Sequence, residues 1–155
     1  MGRNVRFFRN ACRTCHNDVG VPLLGMFAYG EFVYQTDDGR TYAYVAALTN
    51  PAWERVAAIL RLAAGMSLEK NDGDIDVYQR ILIRCADRNA ERQYSTEFPL
   101  CPKCAAKITS YGDDVVMFDQ YLDDVTWERF MALSPQAQVD EVLAILKDEE
   151  GQPAR

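Results

Sequence analysis

Four of the five cysteines stand as two CxxC pairs, Cys12/Cys15 and Cys101/Cys104, with 85 residues between the pairs. A CxxC turn presents two thiolates from one backbone knuckle, and two knuckles can complete a tetrahedral four-thiolate zinc site with Zn–S near 2.3 Å. In a protein expected to be cytoplasmic, the pattern favours metal over disulfides. Three other chemistries use parts of the same residues. Cys12-Arg13-Thr14-Cys15-His16 matches the CxxCH haem-attachment pattern, but covalent haem of that type belongs to exported proteins, and it leaves the second pair unexplained. Either pair alone could be a redox dithiol, helped by Arg13 or Lys103, yet neither sits in a thioredoxin-like βαβ context. A zinc deaminase needs H-x-E and P-C-x-x-C, where this chain has His16-Asn17-Asp18 and Pro99-Leu100-Cys101.

Through Cys12-Arg13-Thr14-Cys15 and Leu100-Cys101-Pro102-Lys103-Cys104 the chain resembles the four-cysteine zinc-ribbon type of module, over the two knuckles and their flanks only. The usual separation between knuckles is about 15–20 residues, so the segment 20–98 must be an insertion. The resemblance implies a structural zinc ion held by Cys12, Cys15, Cys101 and Cys104. Four thiolates leave no open position for water, so the site is a clamp that ties the N-terminal strand to the chain after residue 100. His16 is a ligand, an outer-shell donor to a thiolate, or a surface residue of the knuckle. Cys85 lies on a stripe with Ile75, Tyr78 and Leu82 and reads as a buried apolar thiol.

No second chemical motif competes. The single His sits at the knuckle, so no independent Ser-His-Asp or Cys-His set exists. An EF-hand starting at Asp72 would need Gly at 77 and Glu at 83, where Val77 and Ile83 stand. There is no phosphate-cradling glycine loop. An enzyme whose pocket lies in the insertion would leave no linear motif and stays as a third class.

The charge distribution reads either as a solvated acidic face that keeps the chain soluble or as a docking surface for a basic partner. The net charge is −6, but residues 1–112 carry 14 basic and 12 acidic side chains and residues 113–150 carry 2 and 11. Asp113, Asp114, Asp119, Asp123, Asp124 and Glu128 contain no Lys or Arg among them and are interleaved with Val115, Val116, Met117, Phe118, Tyr121, Leu122 and Trp127. On the second reading, a carboxylate-rimmed aromatic surface could both steer and anchor a basic protein. Asp113, Asp114, Asp119, Tyr121, Asp123, Asp124, Trp127 and Glu128 are therefore the candidate partner-binding residues. The expected function is a non-enzymatic, acidic, zinc-binding interaction module, with inhibitors and immunity-type proteins as examples of that charge logic. The alternative is a zinc-ribbon nucleic-acid-binding or transcription-associated factor, carried by Arg3, Arg6, Arg9 and Arg13, with Phe7 and Phe8 to stack on bases. Whether the basic and acidic blocks face each other is decided by the fold.

The elements that must position these residues describe an α+β chain of one domain over 1–149, with a polar tail at 150–155. Val5–Phe8 reads as a short strand. Met26–Gln35 and Arg40–Leu48, around Asp37-Asp38-Gly39, form a β-hairpin. Asn50-Pro51 opens a helix that Gly65 closes, and Ile75, Tyr78, Leu82 and Cys85 mark a second helix reaching about residue 89. Val115–Leu122 is a strand or a helical segment, periodicity not deciding. Thr126 caps a short helix through Leu133, and Ser134-Pro135 starts the last, with Val139, Val142, Leu143 and Leu146 on one face. No run approaches a membrane span of about 18 apolar residues, and the expected location is the cytoplasm.

Overall fold

The computed structural model describes residues 2–22, 31–36, 41–46, 49–67, 72–87, 94–95, 99–109 and 113–151. The architecture is α+β. In chain order the elements are β1 (Arg3–Ala11), β2 (Asp18–Pro22), β3 (Glu31–Thr36), β4 (Tyr42–Ala46), α1 (Pro51–Ala64), α2 (Asp72–Arg84), β5 (Tyr94–Ser95), β6 (Val116–Leu122), α3 (Glu128–Ala132) and α4 (Pro135–Glu150). They fall into two compact units. Met1–Ala47 and Asn89–Val125 make the first, and Leu48–Arg88 with Thr126–Arg155 the second.

The first unit holds two antiparallel three-stranded sheets, ordered β2-β1-β6 and β4-β3-β5. In β1 the alternation of Val5 and Phe7 with Asn4 and Arg6 places the apolar pair inward and the polar pair outward. Val5, Phe7 and Leu122 pack with Tyr44 from the other sheet, and Val33, Tyr42 and Ala46 border that cluster. The sheets are also joined by backbone: Tyr44 N–H donates to Asp123 C=O at 3.1 Å, and Val125 N–H to Tyr44 C=O at 2.9 Å. The expected hairpin is present as β3 and β4, paired from Glu31↔Ala46 to Gln35↔Tyr42. Its expected turn and the stretch 26–30 lie outside the described residues. Of the 115–122 segment, Val116–Leu122 is a strand, β6, hydrogen-bonded along β1 with an irregularity between Phe7 and Phe8.

The second unit is helical among the described residues. Asn50 Oδ1 accepts the Ala52 N–H at 2.9 Å, Pro51 occupies the first turn, and Gly65 ends α1 at φ 65°, a left-handed conformation that costs glycine little. The second helix starts three residues before its apolar stripe, at Asp72, and ends at Arg84. Tyr78, buried, donates its hydroxyl to Trp53 C=O at 2.7 Å and meets the Trp53 ring edge-on. Arg80 and Arg84 pair with Glu149 and Arg84 with Asp148, tying α2 to α4. Ser134 caps α4 through the Ala137 N–H.

Two expectations are corrected. Trp127 is a core residue, 3% exposed, with its indole N–H donated to Leu82 C=O at 2.8 Å; a large ring followed by a helix start is better satisfied inside, where its one donor finds a carbonyl. Thr126 does not cap α3 directly. Asp87, after α2, accepts the N–H groups of Glu128 and Arg129 and the Thr126 hydroxyl, so the cap comes from 41 residues before the helix start. No helix among the described residues is long and apolar enough to cross a membrane.

Candidate metal centre

Each CxxC is the turn of an antiparallel pair. Cys12–Asn17 joins β1 to β2, and Cys101–Ala106 lies inside the Leu100↔Lys107 bridge. The two turns have the same internal wiring. Cys12 C=O accepts from His16 N–H at 2.8 Å and Cys12 N–H donates to Asn17 C=O at 2.9 Å; Cys101 C=O accepts from Ala105 N–H and Cys101 N–H donates to Ala106 C=O, both at 2.8 Å. His16 and Ala105 take the equivalent left-handed position, φ 60° and 58°. That geometry turns both sulfurs of each pair to one side.

The four sulfurs meet. Cys12 Sγ lies 3.6 Å from Cys104 Sγ and Cys15 Sγ 3.7 Å from Cys101 Sγ, and all four fall within 4.8 Å of one another. A tetrahedron with metal–sulfur bonds of about 2.3 Å has sulfur–sulfur edges of about 3.8 Å, so the spacing across the knuckles fits a four-thiolate ion. Cys12 and Cys101 are buried, Cys15 is partly covered and Cys104 is exposed. Val19 and Ile108 pack on the buried pair, with Val21 and Ala106 beside them. His16 is exposed and outside the cluster.

Backbone N–H groups are aimed at the sulfurs. Those of Cys15 and Thr14 lower the Cys12 thiol. At Cys15 the side chain of Asn17, whose Nδ2 is 3.2 Å from Sγ, and then its backbone N–H bring the thiol down to about 6. At Cys104 the Ala106 N–H acts in the same sense, but partial desolvation and the three neighbouring sulfurs outweigh it and push the thiol up to about 12. Four sulfurs this close do not all ionise alone, whereas a divalent cation would displace the remaining protons.

Two residues outside the motif support the centre. Asn17 links the knuckles, since its Oδ1 accepts from Lys103 Nζ at 2.9 Å while its amide donates to Cys15. Gln35, buried on β3, reads the backbone just before Cys101: Leu100 N–H donates to Gln35 Oε1 at 2.7 Å, and Gln35 Nε2 donates to Leu100 C=O at 3.2 Å. This amide clasp holds the second knuckle on the sheet. Asn17 was within reach of sequence reasoning as the polar residue two places after a CxxC; Gln35 carried no signal.

The candidate partner-binding residues separate. Asp113, Asp114, Asp119, Tyr121 and Asp123 are exposed on and around β6, and Asp124 is partly covered. Glu128 is exposed in the first turn of α3, and Trp127 is buried. The basic and acidic blocks do face each other: Arg6 Nε is 3.1 Å from Asp119, and Arg9 binds Asp113 at 2.5 Å through its Nη2 and at 2.9 Å through its Nε. Arg9 holds the Asp113 carboxyl below its ordinary range. Arg3 pairs with Glu31, which also accepts the Tyr44 hydroxyl. Phe7, expected to stack on bases, is instead fully buried, stacked on Phe118 with centroids 4.8 Å apart. Three of the four arginines meant for phosphates are thus engaged by carboxylates.

No protein-family model matches the chain, and no curated protein and no solved structure matches it.

Proposed function

We propose that Cys12, Cys15, Cys101 and Cys104 hold one structural zinc ion, and that the protein is a non-enzymatic interaction module whose clamped sheets present an acidic, aromatic strand to a basic protein, in the manner of an inhibitor or immunity-type protein. The sulfur spacing across the knuckles carries the reading, because it matches a closed four-thiolate tetrahedron with no position left for substrate or water. Soft thiolates favour zinc over hard cations such as magnesium or calcium. The closed site supplies rigidity. Its two knuckles fix the β1–β2 turn against the chain that leads into β6, so the acidic strand is displayed on a preorganised surface. Elemental analysis of protein purified without added metal should find one zinc per chain, falling well below one in Cys104→Ser. A wild-type chain that stays folded and metal-free in excess zinc would refute the clamp.

A further inference from the structure

Edge strands in soluble proteins are shielded by lysine, proline, brevity or a covering element. Among the described residues the sixth strand has none of these. It is seven residues long, only Leu122 within it is buried, and it stands at the end of the β2-β1-β6 order. Residues 113–126 contain no Lys, Arg or Pro. Among the described residues seven large hydrophobics are exposed, and five of them, Val115, Val116, Met117, Phe118 and Tyr121, fall on this one segment at 40–56% exposure. Such concentration marks an interaction site.

Charge selects the occupant. Asp119 and Asp113 are matched by Arg6 and Arg9, but the exposed carboxylates of Asp114 and Asp123, beyond the two ends of β6, make no ion pair with any described residue. A second copy pairing antiparallel about Asp119 would set Asp114 against Asp124 at both ends of the pair. Like charges directly opposed destabilise a sheet.

Resting on the interaction-module reading above, we infer that β6 is a strand-addition site for an extended, apolar segment with a basic residue near each end, from another protein. The added strand takes its main-chain hydrogen bonds from the open edge of β6, lays alternate apolar side chains beside Met117 and Tyr121 or beside Val116 and Phe118, and sets its basic ends on Asp114 and Asp123. For the ten positions from Asp114 to Asp123, at about 3.3 Å each, the footprint is roughly 33 Å.

The test uses the full zinc-loaded chain and three probes: a peptide of alternating valine and threonine with arginines at both ends, the same peptide N-methylated at alternate amides, and polylysine. The unmodified peptide should bind by fluorescence anisotropy and slow amide exchange in 116–121. N-methylation should weaken it at least tenfold, as should Met117→Lys and Tyr121→Lys, both at exposed positions and each checked for folding by circular dichroism. Equal binding of the two peptides would overturn strand addition and leave a purely electrostatic surface. Failure of both peptides while polylysine binds in a salt-dependent manner would do the same. Failure of all three probes would overturn the interaction reading with it, and a dimer in sedimentation that Met117→Lys dissolves would assign β6 to a second copy instead.

Discussion

If the four cysteines form one shared site, stability of the first unit must follow free zinc with a slope and a limit that the structure sets. A ligand that binds only the native state stabilises it by RT ln(1 + [L]/Kd), about 1.4 kcal/mol for every tenfold rise in free zinc above the dissociation constant. The unfolded chain keeps both CxxC pairs, so it binds zinc too, but to assemble four ligands it must close the 86-residue separation between Cys15 and Cys101. That closure costs (3/2)RT ln 86, about 4 kcal/mol, or a factor of roughly 1000 in affinity. The zinc dependence should therefore run for about three decades and then level off, with about 4 kcal/mol gained. At a urea slope of about 1–3 kcal/mol/M, each decade moves the midpoint by roughly 0.5–1.4 M. Urea titrations in zinc buffers, read by amide exchange of Val5–Asn10 in β1, measure this directly. Trp53 and Trp127 both belong to the second unit and cannot substitute. The double variant Cys101→Ser/Cys104→Ser has no loop to close and should be nearly flat. A flat wild type, or a double variant with the wild-type slope, would refute a clamp shared between the knuckles.

Asn17→Ala should lower zinc affinity about 10–100-fold in a chelator competition, since outer-shell donors carry that much. With zinc removed, the same change should raise the pH at which Cys15 alkylates. The Cys15 thiol is depressed on folding to about 6, so its contribution to metal-free stability is complete above the unfolded value near 9 and is lost as pH falls through about 6. Cys85 behaves oppositely: burial pushes it up to about 12, so its contribution holds below 9, fades towards 12, and native protein at pH 8 should leave it unalkylated by iodoacetamide while unfolded protein does not. Gln35→Ala leaves the N–H and C=O of Leu100 without their partner and should cost about 2–3 kcal/mol in denaturant unfolding. Ala105→Gly relieves a left-handed non-glycine residue and should add about 1 kcal/mol.

The parts of this fold legible in the sequence are those written in local chemistry. Asn50-Pro51 with Gly65 gives a helix its bounds because the cap, the first-turn proline and the left-handed stop act within a few residues of the helix ends. The CxxC pairs announce their sulfurs because the knuckle is a local turn, whatever the intervening 85 residues do. What stayed hidden depends on partners distant in sequence. Asp87 caps a helix begun 41 residues later, and Trp127 is buried because the carbonyl of Leu82, 45 residues earlier, receives its indole N–H. Periodicity could not decide Val115–Leu122 because all of it but Leu122 lies exposed, so neither a twofold nor a 3.6-fold burial pattern was ever imposed on it.

That same exposure revises the electrostatics. Counted along the chain, the acidic third is a single block of charge; folded, its strand lies antiparallel to the arginines of β1, and each Arg–Asp rung removes one carboxylate from the field a partner would meet. Exposed rungs of this kind add little stability, about 0–1 kcal/mol each, but they fix which acids remain available. Breaking one should therefore act on association more than on folding. Arg6→Ala frees Asp119 at the middle of β6, so a basic strand should associate faster at low salt while the unfolding midpoint barely moves. An on-rate unchanged by that substitution would mean that the end carboxylates, Asp114 and Asp123, already dominate the encounter.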